Sequence, residues 1–363
     1  MKLSYKKYQY EKLRNLCRDV FRKFGYTREQ SNTITDVLLL ADLFGIESHG
    51  IQRLVLYYSG ITNGNIKVNS EMKIVKETPV SALVDGNGGM GQLISEKSMN
   101  IAIEKAKKTG IGIAIVKNSN HFGIAGYYAR MAEREGLLGI SMTNTRAIVL
   151  PTYGKQQILG TNPIAISMPA KPIPFLLDMA TSVITRGKIE VYNKNKEKLH
   201  SGWAMDSDGK VTDDAYKVLE AGSNGVTGGL LPLGGDSEIF GGHKGYGIAL
   251  AVEMFTSIIS GGLTSDKIRG NNNTNGVCHA FMAIDYGMFD DKSEIENRMS
   301  NYLQKLRDSE KAYGALRIYT HGEKEIEAYK DRMENGIPIN DSTMKEIDGI
   351  CEHLHIDLNK YLQ

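Results

Sequence analysis

Apolar side chains recur at steps of three and four through Tyr10, Leu13, Cys17, Val20, Phe21 and Phe24, which predicts an amphipathic helix over residues 5–24. Thr27-Arg-Glu-Gln30 has the form of a capping box, in which threonine and glutamine side chains satisfy backbone N–H groups at a helix start. The helix it opens runs through Ile34, Val37, Leu38 and Ala41 to a stop at Gly45. A third helical stretch follows Gly50, with Leu54, Val55, Tyr57 and Tyr58. Up to this point the chain reads as helical, with no strand pattern.

The texture changes at Met72. Residues 72–78 and 81–86 read as strands, 92–108 as helix, 111–116 as strand, 124–135 as helix and 137–142 as strand. Residues 164–168 and 175–177 add short strands. A glycine-rich loop, 222–242, leads into a helix over 243–260, and 279–285 is a strand. Charged helices at 293–306, 323–334 and 344–354 complete the chain. Neither helical end is large enough for a core of its own, so the two are expected to pack together. The expected organisation is a helical domain from 1–70 with 311–363, and an α/β domain over 71–310 that binds cofactor and substrate.

Composition narrows the function classes. The 363 residues are 41% hydrophobic and 24% charged, an ordinary globular balance. Lys+Arg 44 against Asp+Glu 42 gives a net charge of +2, so no basic excess is present to hold a nucleic acid. Gly 39 with only 8 Pro points to tight turns and close backbone approaches to a ligand. Three scattered cysteines, Cys17, Cys278 and Cys351, form no disulfide framework and suit a reducing compartment. The N-terminus has no apolar run of signal-peptide type, and the longest apolar stretch, 247–262, is interrupted by Glu253. That stretch falls short of the ~20 residues of a membrane span. A soluble cytoplasmic protein without membrane or nucleic-acid partners is expected.

Gly86-Asn-Gly88-Gly-Met-Gly91 satisfies G-x-G-x-x-G between a strand and a helix, the setting of a dinucleotide fingerprint. Two features count against that reading. The next strand ends at Lys117-Asn118-Ser119-Asn120, with no acidic side chain for a ribose, and a strand pair precedes the motif where a Rossmann fold would begin. A glycine turn into a helix is preferred. Four of the eight histidines, His49, His121, His243 and His321, lie in glycine-bearing contexts where a ring can face a ligand. No zinc spacing, G-x-S-x-G elbow or P-loop occurs, which leaves metal, serine-hydrolase and NTPase chemistry without support; no metal site is expected.

Eight ordered runs together resemble the type-2 malate/L-lactate dehydrogenases, NAD(P)-dependent 2-hydroxy-acid oxidoreductases unrelated to the Rossmann enzymes. They are GIESHGIQRL (45–54), VDGNGGMGQ (84–92), NSNHFGIAGYYA (118–129), LGTNPIA (159–165), LLDMATS (176–182), GGHKGYGIALAVEM (241–254), HAFMAID (279–285) and NGIPI (335–339). The resemblance covers essentially the whole chain. It implies a non-Rossmann α/β fold with a mostly antiparallel central sheet flanked by helices, in which the VDG-x-GG-x-GQ segment is a structural turn.

Residue by residue, the resemblance implies His49 as proton donor or acceptor, Ser48 as its hydrogen-bonding neighbour, and Arg53 as partner of a substrate carboxylate. A guanidinium fork matches that group bidentately, and a spacing of four could bring residues 49 and 53 to one cleft. His121 is the second acid/base candidate. Thr145, Asp178, Met179, Ala180, His243, Lys244 and Gly245 are implied for the cofactor. Lysine and free N–H groups at a helix start suit a pyrophosphate. Asp178 is also implied as a catalytic or positioning carboxylate, with a helix cap as the plain alternative. The family's C-terminal P-G-E turn reads His321-Gly322-Glu323 here, so Gly322 is the cofactor candidate in a turn that has lost its proline. His279 falls where relatives place a substrate-side histidine. The expected reaction interconverts malate and oxaloacetate, with ureidoglycolate, sulfolactate, diketogulonate and cyclic imino acids as rival substrates. NAD is expected over NADP, and a homodimer is expected from the relatives.

Overall fold

The computed structural model describes residues 4–224, 227–268 and 275–362. Its N-terminal segment departs from the predicted single helix. Tyr5–Tyr8 forms strand β1, and helix α1 begins at Tyr10 and runs to Lys23. β1 pairs antiparallel with β11, Ile337–Asn340, from Tyr5 opposite Asn340 to Tyr8 opposite Ile337. The tyrosines at 5 and 8 carry a helical spacing, but pairing with a distant strand decides the conformation. Helix α2 (Arg28–Leu43) starts at the capping box: the Gln30 amide donates to Thr27 Oγ1 at 3.2 Å, and the Thr27 amide to Gln30 Oε1 at 2.9 Å. Such a cap contributes about 1 kcal/mol.

Two 3₁₀ turns, Glu47–His49 and Ile51–Arg53, separate α2 from α3 (Leu54–Thr62). Leu13, Leu16, Phe21 and Leu38 share one buried cluster with Ile337, Ile347 and Cys351, the last two from α11 (Asp341–His353). The two ends of the chain therefore build one core, in which each fully buried Leu, Ile or Phe contributes about 1.5–3 kcal/mol.

The central sheet contains β2 (Lys73–Glu77), β3 (Ser81–Asp85), β4 (Ile111–Ser119), β5 (Leu138–Thr143), β6 (Ile164–Met168), β7 (Phe175–Met179) and β10 (Val277–Ile284). Their spatial order is β2-β3-β4-β10-β5-β6-β7. Only β3 and β4 run parallel, joined by α4 (Gly91–Thr109); the other neighbours are antiparallel, the mostly antiparallel sheet that the resemblance implied. Helix α4 and α5 (Ala125–Arg134) cover one face through Ala102, Ala106, Ala129 and Ala132, whose short side chains let helix and sheet approach closely.

Helices α6 (Arg186–Asn195) and α7 (Ala215–Asn224) were not predicted. They form a small unit with the short pair β8 (Ala204–Met205) and β9 (Gly229–Leu230) around Ile189, Leu199, Val218 and Leu230. Residues 222–224 of the expected glycine-rich loop end α7, and 225–226 lie outside the described residues. Helix α8 (Gly242–Glu253) continues as a π-helical turn, Met254–Ile258. Helices α9 (Lys292–Arg307) and α10 (Glu323–Asn335) follow β10, and α12 (Asn359–Leu362) ends the described chain. No helix among the described residues is long and apolar enough to cross a membrane.

Candidate active site

The Ser48-His49-Gly50 turn is shaped by a buried carboxylate in α2. Asp42 Oδ2 accepts from the Ile51 amide at 2.6 Å, and a Cβ at Gly50 would lie 1.9 Å from Asp42 Oδ1, so only glycine fits. Burial pushes the Asp42 carboxyl up to about 7; its bond from the Ile51 amide opposes this. Because the turn is a pair of 3₁₀ turns broken at Gly50, residues 49 and 53 are not neighbours on an α-helix. They stay close for another reason: Arg53 Nε donates to the Ser48 carbonyl at 2.6 Å, while Ser48 Oγ lies 2.9 Å from His49 Nδ1.

His121 faces this turn from the loop between β4 and α5. The rings of His49 and His121 are stacked, 5.6 Å apart with 22° between planes. The Tyr57 hydroxyl of α3 lies 2.8 Å from His121 Nδ1, and the Gly123 amide donates to the same nitrogen at 3.3 Å. Gly123 has φ 84°, and a Cβ there would meet Val37 Cγ1 at 2.6 Å, so its glycine is needed to aim that amide. Burial holds both imidazoles below the usual histidine range, His49 to about 3; Arg53 adds to the effect on each, and His49 adds to it on His121.

The G-x-G-x-x-G turn belongs to this same architecture. Asn120 Nδ2 donates to the carbonyls of Gly88 and Gly89 at 3.1 and 2.9 Å, and a Cβ at Gly91 would lie 2.3 Å from the carbonyl oxygens of both Asn120 and His121. The amides of Gly86, Asn87, Gly88 and Gly89 are engaged by Lys117 O, Asp85 Oδ1, Asn118 O and Gly86 O. Its glycines let the His121 loop lie against it, and these four amides do not point at a ligand. His279, by contrast, is fully buried in β10. Its Nδ1 meets Thr143 Oγ1 at 2.8 Å, its Nε2 meets Ser119 Oγ at 2.9 Å, and its ring stacks on Phe122 at 4.6 Å. Both nitrogens are occupied, so the substrate-side placement implied for His279 is replaced by a core position.

A cavity of about 720 Å³ opens beside the arginine, lined by Ser48 and Arg53 on one wall and by Thr185, Gly187, Lys188 and Glu190 on the other. Neither stacked histidine lines it.

Thr145 and Gly245, two of the residues implied for a cofactor, are linked through a ladder of hydrogen bonds and packing contacts. Thr145 Oγ1 accepts from the Thr161 amide at 3.0 Å, Thr161 O accepts from Thr181 at 2.9 Å, and Thr181 O accepts from Leu233 at 2.9 Å. Gly245 of α8 packs on Leu233, where a Cβ would lie 2.2 Å from its carbonyl. Asp178, Met179 and Ala180 lead directly into this ladder at the end of β7. Asp178 Oδ2 accepts from the Gly126 amide at 2.7 Å, so the carboxylate caps α5 from a neighbouring strand and joins the ladder to the His121 loop. Burial raises its pKa to about 6. Gly322 (φ 100°) lies against the other end of β7, with Leu176 N donating to His321 O at 3.2 Å.

At the start of α8 the amides of Gly241, Gly242 and Lys244 are bonded within the loop, which leaves fewer free donors than the sequence implied. His243 and Lys244 are nevertheless exposed, and among the described residues no carboxylate forms an ion pair with Lys244. An exposed lysine beside a threonine-lined strand end suits the phosphate and ribose groups of a dinucleotide. No group of three or more potential metal ligands occurs among the described residues.

Sequence reasoning missed Asp42, Tyr57, Gly123 and Glu253 as shapers of the site. Glu253, at the end of α8, is buried and accepts from Asn144 and Asn162 Nδ2, the Ser265 amide and the hydroxyls of Ser257 and Ser265, at 2.7–3.2 Å. Its signal was a lone acid inside an apolar run.

The family model described as malate/L-lactate dehydrogenase matches residues 8–348. The chain is 47% identical over 338 residues to a malate dehydrogenase of Pyrococcus abyssi, covering 93% of this chain and 92% of that one. It is 40% identical to the L-sulfolactate dehydrogenase of Methanocaldococcus jannaschii, covering 97% and 98%. The crystal structure of malate dehydrogenase from Entamoeba histolytica superposes with a TM-score of 0.94 at 34% identity, covering 98% and 99%.

Proposed function

The chain belongs to the malate/L-lactate dehydrogenase family, and from that premise we propose that it interconverts malate and oxaloacetate with NAD as the hydride carrier. The observation that carries the reading is the stacked pair His49 and His121 beside a half-buried Arg53. When bound, the nicotinamide exchanges a hydride with C2 of the substrate. Arg53, with Nε engaged by Ser48 O, offers its terminal nitrogens to the C1 carboxylate. The histidine pair serves the C2 oxygen, where a proton is gained on reduction and lost on oxidation. Thr145, Asp178, Met179, Ala180 and Gly245 would line the nicotinamide half of the cofactor. His243 and Lys244 would meet its phosphates, and Gly322 the adenosine side.

A second substrate has a specific basis, the 40% identity to a protein named L-sulfolactate dehydrogenase. We also propose a homodimer in the cytoplasm. Its support is the apolar face of α8 and its π-turn, where Leu250, Met254, Ile258 and Ile259 are exposed. The division into residues 1–70 with 311–363 and 71–310 is the domain scheme of this proposal.

The test is oxidation of NADH and of NADPH by the purified protein with oxaloacetate, 3-sulfopyruvate, pyruvate and cyclic imino acids. Turnover of oxaloacetate with NADH, lost by about 10²–10⁴-fold in His49→Ala and His121→Ala, is expected. Turnover of 3-sulfopyruvate alone would replace the substrate and keep the site. Turnover unaffected by either substitution would overturn it.

A further inference from the structure

The histidines of this region differ in how firmly their partners fix the ring proton. An amide N–H can only donate, so the 3.3 Å bond from Gly123 requires an unprotonated Nδ1 on His121. The Tyr57 hydroxyl, 2.8 Å from the same atom, then also donates to it. The neutral ring must carry its proton on Nε2. His279 differs: Thr143 Oγ1 lies at its Nδ1 and Ser119 Oγ at its Nε2, hydroxyls that can donate or accept, and the Asn120 backbone also bonds the ring, so its partners do not select one tautomer. His49 has only the Ser48 hydroxyl at Nδ1, a group that can donate or accept, so its tautomer is not fixed.

We propose that Tyr57 is a positioning residue that locks His121 as a neutral Nε2–H donor, so that His121 polarises the substrate oxygen by a hydrogen bond while His49 carries the proton. In reduction, the new C2–H bond takes the arriving hydride pair and the carbonyl π pair moves onto oxygen. His121 Nε2–H stabilises that charge without transferring its proton, and the O–H bond forms as an N–H bond of His49 breaks. His49 takes that proton from solvent when the dianionic substrate arrives and offsets the burial and the Arg53 charge that keep the free ring neutral. Oxidation reverses each step. A neutral donor avoids a second imidazolium beside the first, and beside Arg53. The groups that face His121 are Tyr57 from α3, His49 and Arg53 from the 3₁₀ turns, and His279 from β10; none is an anion that would favour a cationic ring.

The kinetic arm of the test rests on the dehydrogenase reading, and the spectroscopic arm does not. Protein labelled with ¹⁵N at histidine, with His121 assigned by its loss in His121→Ala, reports the tautomer of each ring at pH 7. His121 is expected as Nε2–H. In Tyr57→Phe, which keeps the buried ring, the His121 signals should move toward a mixture of tautomers. The kcat with oxaloacetate should fall about 10- to 100-fold, with the KM for NADH unchanged. His121 found as Nδ1–H or as a cation overturns the proposal. So does a Tyr57→Phe protein with wild-type tautomer and wild-type kcat. Absence of wild-type turnover would instead count against the functional reading, while the tautomer assignment stands or falls by the spectrum.

Discussion

Two glycine-rich segments of this chain each lead into a helix, and each looks from its composition like a place to hold phosphate. In 86–91, four successive amides are engaged by nearby acceptors, and the backbone of the His121 loop lies against Gly91. In 241–245, most amides are also engaged, but His243 and Lys244 stand exposed at the head of α8. The difference teaches that a glycine motif reports a close approach and does not say what approaches. In the first segment it is another part of the same chain, and the segment acts on chemistry by holding a histidine. In the second the glycines also meet the same chain, Gly242 at Gly235 O and Gly245 at Leu233 O. What differs is the pair of exposed side chains, His243 and Lys244, to which the proposed function assigns the cofactor phosphates.

That contrast can be broken at its tightest point. Gly91→Ala places a methyl 2.3 Å from two backbone carbonyls. It should lower stability by about 3 kcal/mol or more, seen in denaturant unfolding, and remove most activity because the His121 loop must move. Gly50 is an intermediate case, since what approaches it is the side chain of Asp42. Asp42 titrates at about 7 when folded against an ordinary value of 3.8, so the folded protein binds the extra proton between those values. Its contribution is greatest below pH 4 and is lost as pH rises toward 7, by on the order of 4 kcal/mol. Asp42→Asn keeps an acceptor for Ile51 and should flatten that part of the stability–pH curve. If the variant loses stability with pH as steeply as the wild type, Asp42 is not the group responsible. Asn120→Ala removes the amide that grips Gly88 and Gly89, and should cost about 2 kcal/mol in unfolding free energy.

Much of the fold was legible where local signals agreed with tertiary demands. The Thr27–Gln30 box and the 164–168 strand lie where the pattern put them, because cap chemistry and alternation are local. β1 and β11 were not legible: four residues at each end of the chain form a pair that only the folded protein brings together. Helices α6 and α7 escaped because each is ten residues long: α6 carries few apolar positions, and α7 only one helical step, Ala215 to Val218 and Leu219. At the site, the histidines and Arg53 were visible as types in glycine-bearing runs. Tyr57 read as one more apolar helix position, and its hydroxyl acquires meaning only when His121, 64 residues away, is brought to 2.8 Å. The four-residue step from His49 to Arg53 led to the right neighbourhood through the wrong geometry, since a bond to the Ser48 carbonyl holds them together.

The most direct test of the central claim is a titration of NADH, read by its fluorescence, into two variants that separate the glycine segments. Gly88 has φ 70°, which asparagine tolerates better than other side chains, and a Cβ there meets only ordinary contacts at 3.5–3.7 Å. Lys244 is exposed and can be removed without disturbing the core. The account predicts that Lys244→Ala weakens NADH binding about tenfold, roughly 1.4 kcal/mol, with its melting temperature unchanged, and that Gly88→Asn binds NADH like the wild type. Loss of NADH binding in folded Gly88→Asn, with Lys244→Ala unaffected, would place the cofactor at the first segment and contradict the account.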